Sequence, residues 1–78
     1  MTLKIKYFGM TAEASGKEGE LLDNKYSSVQ ILRKELLNKY PGLIKMNFKI
    51  AVNQHIVDDN CLLSGNEEIA LLPPFAGG

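Results

Sequence analysis

From Leu3 to Phe8 the chain alternates: Leu3, Ile5 and Tyr7 share one parity, and Lys4, Lys6 and Phe8 the other. A period of two predicts a half-buried strand, ended by Gly9. Met10 to Ser15 is small and mixed, and no element is assigned to it. Gly16-Lys17 leads into a second strand over Glu18 to Asp23, with Leu21 or Leu22 inward and Gly19 as an interruption. Asn24-Lys25 reads as a turn. The period then changes. Val29, Leu32, Leu36 and Tyr40 form one stripe with Leu37 beside it, while Arg33, Lys34, Asn38 and Lys39 cover the rest. Residues 27–40 are therefore predicted to form an amphipathic helix. Ser27 suits its N-cap, Gln30 completes a capping-box pattern, and Pro41-Gly42 stops it. Leu43 to Met46 reads as an irregular crossing segment.

Period two returns over Phe48 to Val52, where Phe48, Ile50 and Val52 alternate with Lys49 and Ala51. Asn53-Gln54 suits a tight turn and His55-Ile56-Val57 a short returning strand. Asp58-Asp59-Asn60 is another turn. Cys61-Leu62-Leu63 is a short apolar segment ended by Ser64-Gly65-Asn66, and Glu67 to Leu72 is the final strand. A hairpin, a helix and then further strands imply an α+β fold: a mixed sheet with one main helix packed across one face, the β-grasp or ubiquitin-like arrangement. The first and last strands are the most apolar and are expected side by side at the sheet centre. Repeats, low-complexity segments and an internal domain boundary are absent from the pattern. The expected organisation is one domain over 1–72 and an extended tail over 73–78.

Size and charge narrow the function. A 78-residue chain buries only about 60–65% of its unfolded surface, which leaves little room for a deep active site and favours a carrier, subunit or binding module. Nine basic and nine acidic side chains cancel. That balance argues against a nucleic-acid or anionic-membrane partner, either of which needs a positive field. The alternating start predicts no signal peptide, and no apolar run has the length of a membrane span. The single cysteine, Cys61, cannot form an internal disulfide, which fits a reducing cytoplasm.

The tail is the chemically distinctive part. Pro73-Pro74 can continue neither sheet nor helix, so the chain is expected to leave the fold extended. Phe75 and Ala76 follow, and then Gly77-Gly78, a pair able to enter a slot too narrow for any Cβ. From Pro73 onward the reach is roughly 20 Å. A terminal carboxylate on such an arm can be delivered into another protein's active site. Gly-Gly alone also fits a disordered end or a cloning remnant, but here it follows a buried strand without a polar linker. A carboxylate with a pKa near 3.5 is ionised at neutral pH and a poor electrophile. It must be activated, typically as an acyl-adenylate, and with no ATP-binding pattern in this chain the activator must be another protein. Sulfur attack on the adenylate gives a thiocarboxylate, and amine attack gives an amide.

Other chemistry has weaker support. His55 follows a turn and Cys61 adjoins Leu62 and Leu63, so a solvated histidine and a small core cysteine are the better readings. Asp58-Asp59 and Glu67-Glu68 are paired acids in turns, without His or Cys at metal-ligand spacing. No metal and no bound cofactor are expected. Strand parity adds a second feature. If the helix covers the face of Leu3, Ile5 and Tyr7, then Phe8 and Leu72 lie on the open face near the tail, and Ile56 can join them. An apolar patch beside a reactive arm suits docking, the favoured reading over a small cluster that these residues cover among themselves.

Four stretches carry a family likeness: Lys6-Tyr7-Phe8-Gly9, Ser28-Val29-Gln30-Ile31-Leu32, Ala51-Val52-Asn53-Gln54, and the final dozen residues from Glu67 to Gly78, which are the most specific. Over its whole length the chain resembles the MoaD/ThiS family of sulfur carriers, which includes the small subunit of molybdopterin synthase. The resemblance implies that an E1-like enzyme uses ATP to adenylate Gly78 and that a sulfur donor protein supplies the sulfur of a thiocarboxylate there. The carrier then docks on the large synthase subunit, in a heterotetramer of two carriers and two large subunits. There it gives sulfur to precursor Z, forming the dithiolene of molybdopterin; the carrier is not catalytic by itself. Gly78 becomes the sulfur-bearing position and Gly77 its slot-fitting neighbour. Phe8, Ile56 and Leu72 match the family's apolar docking surface, and Pro73, Pro74, Phe75 and Ala76 the partner-bound arm. Two departures are small: Leu43 to Asn47 looks shorter than in longer members, and Ala76 precedes Gly77. Three alternatives stay open: a carrier for thiamin thiazole synthesis, a ubiquitin-like protein modifier, and an interaction domain with an inert tail.

Overall fold

The computed structural model describes residues 2–23 and 26–73. Eight elements follow in order: strand β1 (Leu3–Tyr7), helix α1 (Met10–Ser15), strand β2 (Gly19–Leu22), helix α2 (Val29–Lys39), a 3-10 turn (Pro41–Leu43), and strands β3 (Lys49–Val52), β4 (His55–Val57) and β5 (Glu68–Leu72). The strands form one mixed sheet in the order β2-β1-β5-β3-β4. β1 runs parallel to β5, with Ile5 opposite Ile69 and Tyr7 opposite Leu71. The other pairings are antiparallel. This is the β-grasp arrangement, with the first and last strands adjacent at the centre as their apolar character predicts.

β1, β2 and β5 each bury one parity, whereas β3 buries Ile50 and Val52 and also Ala51 of the other. Leu3, Ile5, Tyr7, Ile50, Val52, Ile69 and Leu71 pack with Val29, Leu32 and Leu36 of α2 in one apolar core. Tyr40 and Leu37 are half-buried against it. Leu22 is the inward residue of β2, and Leu21 is exposed.

Three local expectations change. First, residues 10–15 are helical. The residues that α1 buries are Thr11 and Ser15, with Ala12 and Ala14 half-buried, so it has no stripe of large apolar side chains to announce it. Second, the N-cap of α2 is Ser28, whose hydroxyl accepts from the Ile31 N–H at 3.3 Å. Ser27 instead lends its carbonyl to Leu63. The third residue after the cap is then Ile31, so the Gln30 capping box does not form. Third, Pro41–Leu43 is a 3-10 turn. Gly19, expected to interrupt β2, opens it: a Cβ there would lie 2.8 Å from the Ile5 carbonyl oxygen, so the close β1–β2 approach requires glycine. The Asn24-Lys25 turn lies outside the described residues.

The Asn53-Gln54 turn has positive φ at both positions, as a type I′ hairpin requires. Asn53 also ties the hairpin to β5. Its N–H donates to the Glu68 carbonyl at 2.8 Å, and its side-chain oxygen accepts from the Glu68 N–H at 3.0 Å. The Ala51-Val52-Asn53 run thus joins three strands.

Two carboxylates hold the periphery. Glu20 accepts hydrogen bonds from the phenols of Tyr7 and Tyr40 and, at 2.8 Å, from the Lys39 ammonium, pinning the end of α2 to β1 and β2. Burial alone would raise its pKa; the bonds from Lys39, Tyr40 and Tyr7 outweigh burial and bring it to about 2. The same burial and the Glu20 charge push the Tyr7 phenol upward. Glu67 is likewise brought down to about 2, where the N–H groups of Ser64 and Gly65 and the Ser64 hydroxyl outweigh the opposing effect of burial. Both values lie below the ordinary 4.5. The stability these groups contribute is therefore fully present above pH 4.5 and is lost as pH falls through about 2. Thermal melts from pH 6 down to 2 should show a falling Tm. Glu20→Gln should lower stability near neutrality by about 1–3 kcal/mol and flatten the acid slope. A variant that melts with the wild-type slope would remove Glu20 from this role.

Candidate functional site: the open face of the sheet

α2 covers one face of the sheet, and the other parity of each strand makes the open face. Across its middle, Lys6 of β1 stands opposite Ala70 of β5, Ala70 opposite Ala51 of β3, and Ala51 opposite Ile56 of β4. The two alanines give this row a low floor. Phe8, Leu72 and Ile56 stand around it, enclosing a groove of about 390 Å³. Phe8 is 45% exposed and Ile56 60%, whereas Ala51 is only 4% exposed although it lies outside the core cluster. Large apolar groups left in water around a sunken floor form a surface that gains by being covered. At one rim Lys6 pairs with Glu68 at 3.2 Å. This exposed pair adds little stability but leaves charged groups beside the apolar ones.

The structure brings together the three residues that parity and resemblance single out, Phe8, Ile56 and Leu72. Pro73 follows Leu72 directly, half-buried, with its ring against Gly9: a Cβ on Gly9 would lie 3.2 Å from the Pro73 Cγ. The chain thus leaves β5 at the same end of the sheet as Phe8. Pro74, Phe75, Ala76, Gly77 and Gly78 lie outside the described residues.

Ala51 and Ala70 form the floor: strand parity already sets Ala70 with Leu72, opposite Ile69 and Leu71, and Ala51 opposite Ile50 and Val52, but does not single them out as part of the surface. Other participants are not visible in the sequence reading. Leu21, 65% exposed, lies on the same face across β1 and lines a second hollow with Phe8 and Gly19. Its parity could be read only once the Lys4–Leu21 register was known. Thr11 is buried beneath Phe8, on a segment to which the sequence reading assigns no element. Elsewhere, His55 is exposed and Cys61 half-buried against the core. Among the described residues no group of three or more His, Cys, Asp or Glu could hold a metal ion, and no helix is long and apolar enough to cross a membrane.

Comparison with known proteins agrees with this fold. The model of the ThiS family matches residues 5–78. The human molybdopterin synthase sulfur carrier subunit is 32% identical, the match covering 97% of this chain and 93% of that protein. The solution structure of small archaeal modifier protein 1 from Methanosarcina acetivorans superimposes with a TM-score of 0.82 at 25% identity, covering 99% of this chain and 96% of that one. In a complex of subunits 1 and 2 of the molybdopterin-converting factor from Helicobacter pylori, the matching chain is 30% identical with a TM-score of 0.69, and both chains are covered completely. Fold, sequence stretches and whole-length similarity converge: this chain belongs to the ThiS family.

Proposed function

We propose that this chain is the sulfur carrier subunit of a molybdopterin synthase. The observation that carries the reading is the placement of the Phe8, Leu72 and Ile56 groove at the point where the chain leaves β5 toward Gly77-Gly78. The arm that carries the reactive end thus departs beside the docking surface. An E1-like enzyme joins the Gly78 carboxylate to AMP, releasing pyrophosphate. Sulfur from a donor protein displaces AMP and leaves a thiocarboxylate, a softer and stronger nucleophile than the carboxylate. The groove then seats the carrier on the large subunit, and the Pro73 to Gly78 arm enters that subunit's active site, where precursor Z accepts the sulfur as the acyl C–S bond breaks and water takes its place on the Gly78 carbonyl, restoring the carboxylate. The Helicobacter pylori complex of subunits 1 and 2 supports such a pairing, and two carriers on two large subunits is the assembly expected. ATP is consumed on the activating enzyme, and this chain needs no bound cofactor of its own.

Incubation with the activating enzyme, ATP and a sulfur source should increase the mass by about 16 Da, one oxygen exchanged for one sulfur. An unchanged mass under conditions that load another family member would count heavily against sulfur carriage.

The likeness to small archaeal modifier protein 1 favours a second reading, in which a lysine amine attacks the same adenylate and an isopeptide results. A ladder of conjugates on a denaturing gel, in place of a discrete thiocarboxylate, would identify it. A thiazole-synthesis role would show itself by which large subunit co-purifies.

A further inference from the structure

Thr11 is fully buried, yet its hydroxyl makes no contact with another side chain among the hydrogen bonds of the described residues. It accepts the Phe8 N–H at 2.8 Å, and it lies 2.7 Å from the Phe8 carbonyl oxygen and 3.1 Å from that of Leu71, with one proton to give to either. The backbone repeats the connection: the Phe8 N–H reaches the Leu71 carbonyl at 3.3 Å, and the Thr11 N–H the Phe8 carbonyl at 3.0 Å. Gly9, between them, has φ 54° and ψ −125°, a region that residues with a Cβ rarely adopt, and Pro73 packs against it. The end of β1, the start of α1 and the last residues of β5 are thus knotted at one buried hydroxyl. Phe8 belongs to the proposed docking surface, and Leu71 precedes the residues from which the arm departs. Valine would fill the same volume and keep the core dry, so packing alone does not call for threonine.

We infer that Thr11 is a positioning residue: with Gly9, it fixes the arm's point of departure relative to the docking surface, so that a seated carrier presents its end group in register with the partner's active site. This rests on the sulfur-carriage reading for its functional consequence. An error of about 1 Å in placing a reacting group costs up to about 100-fold in rate. The affinity of the face, which depends on area and shape, is far less sensitive to it.

The test uses full-length chains bearing a preformed C-terminal thiocarboxylate, together with the large synthase subunit of the same organism and precursor Z. Affinity and single-turnover sulfur transfer are measured separately. Thr11→Val should transfer about tenfold more slowly with Kd within about threefold of wild type. Thr11→Ser, which keeps the hydroxyl, should restore the rate. Gly9→Ala should show the same split as Thr11→Val. Transfer by folded Thr11→Val at the wild-type rate, or an equal loss of rate and affinity, would overturn the inference. Should Thr11→Val fail to fold, Gly9→Ala decides by the same criteria. Residual dipolar couplings of the Phe8 and Leu72 amides give a readout independent of sulfur. They should change in Thr11→Val relative to the rest of the sheet, and unchanged couplings overturn the latch. Wild-type protein that neither binds nor transfers sinks sulfur carriage instead, and these couplings then judge the latch alone.

Discussion

A chain lacking Gly78, or carrying one further residue after it, is expected to keep its fold and lose sulfur transfer by a factor on the order of a thousand or more. The fold is expected to survive because, among the described residues, core and sheet are complete before that end. The apolar core draws its residues from Leu3 to Leu71, β5 ends at Leu72, and Pro73 already stands outside the ladder. Tm should therefore stay close to the wild-type value. Activity fails because the reacting atom moves. One residue of extended chain is about 3.3 Å, several times the misplacement that already costs up to 100-fold. An added side chain would also have to pass a slot shaped for glycine. Mass spectrometry after loading and conversion of precursor Z check the two halves separately. An extended, untrimmed chain that still transfers sulfur would disprove the mechanism.

Phe8→Asp should weaken binding to the large subunit by about 2 kcal/mol or more, roughly 30-fold, as for a buried aromatic anchor. The ring lies beyond the end of β1 and is nearly half exposed, so the free protein loses little by its removal. The cost falls on the complex. There the replacement forfeits the apolar contact and places a carboxylate in a desolvated groove. Calorimetric titration of wild type and variant measures the difference. Ile31→Asp is the control: Ile31 is similarly exposed but sits on α2, away from the groove, and its change should leave affinity within about twofold. Equal affinities for Phe8→Asp and wild type would take Phe8 out of the interface.

The sequence showed what strong periodicity can show. Alternation from Leu3 to Tyr7 and from Glu68 to Leu72 gave both central strands and their inward faces, because a period of two leaves one choice once one face is buried. The stripe of Val29, Leu32 and Leu36 gave α2 for the same reason. α1 stayed hidden because tertiary contacts hold it: the Thr11 hydroxyl bonds the backbone of Phe8, just past β1, and of Leu71 in β5, and Ala14 packs close to Gly42. The cap of α2 fell one residue early because two adjacent serines offer the same chemistry. What separates them is a distant bridge, Ser28 opposite Leu62, which local sequence does not record. On the open face, Phe8 and Leu72 could be placed from their own strands, whereas Ile56 needed the β3–β4 register and Thr11 left no sequence signal at all.

The position of β5 between two neighbours has a mechanical consequence. An arm drawn into a partner's active site pulls on the strand from which it grows. β5 is bonded to parallel β1 on one side and antiparallel β3 on the other. Tension along it loads both ladders in shear, so bonds to two neighbours share the load; an edge strand would have only one ladder to resist the same pull. Forced opening is governed by that barrier rather than by equilibrium stability. A domain of modest size can thereby be tugged, released and used again without coming apart.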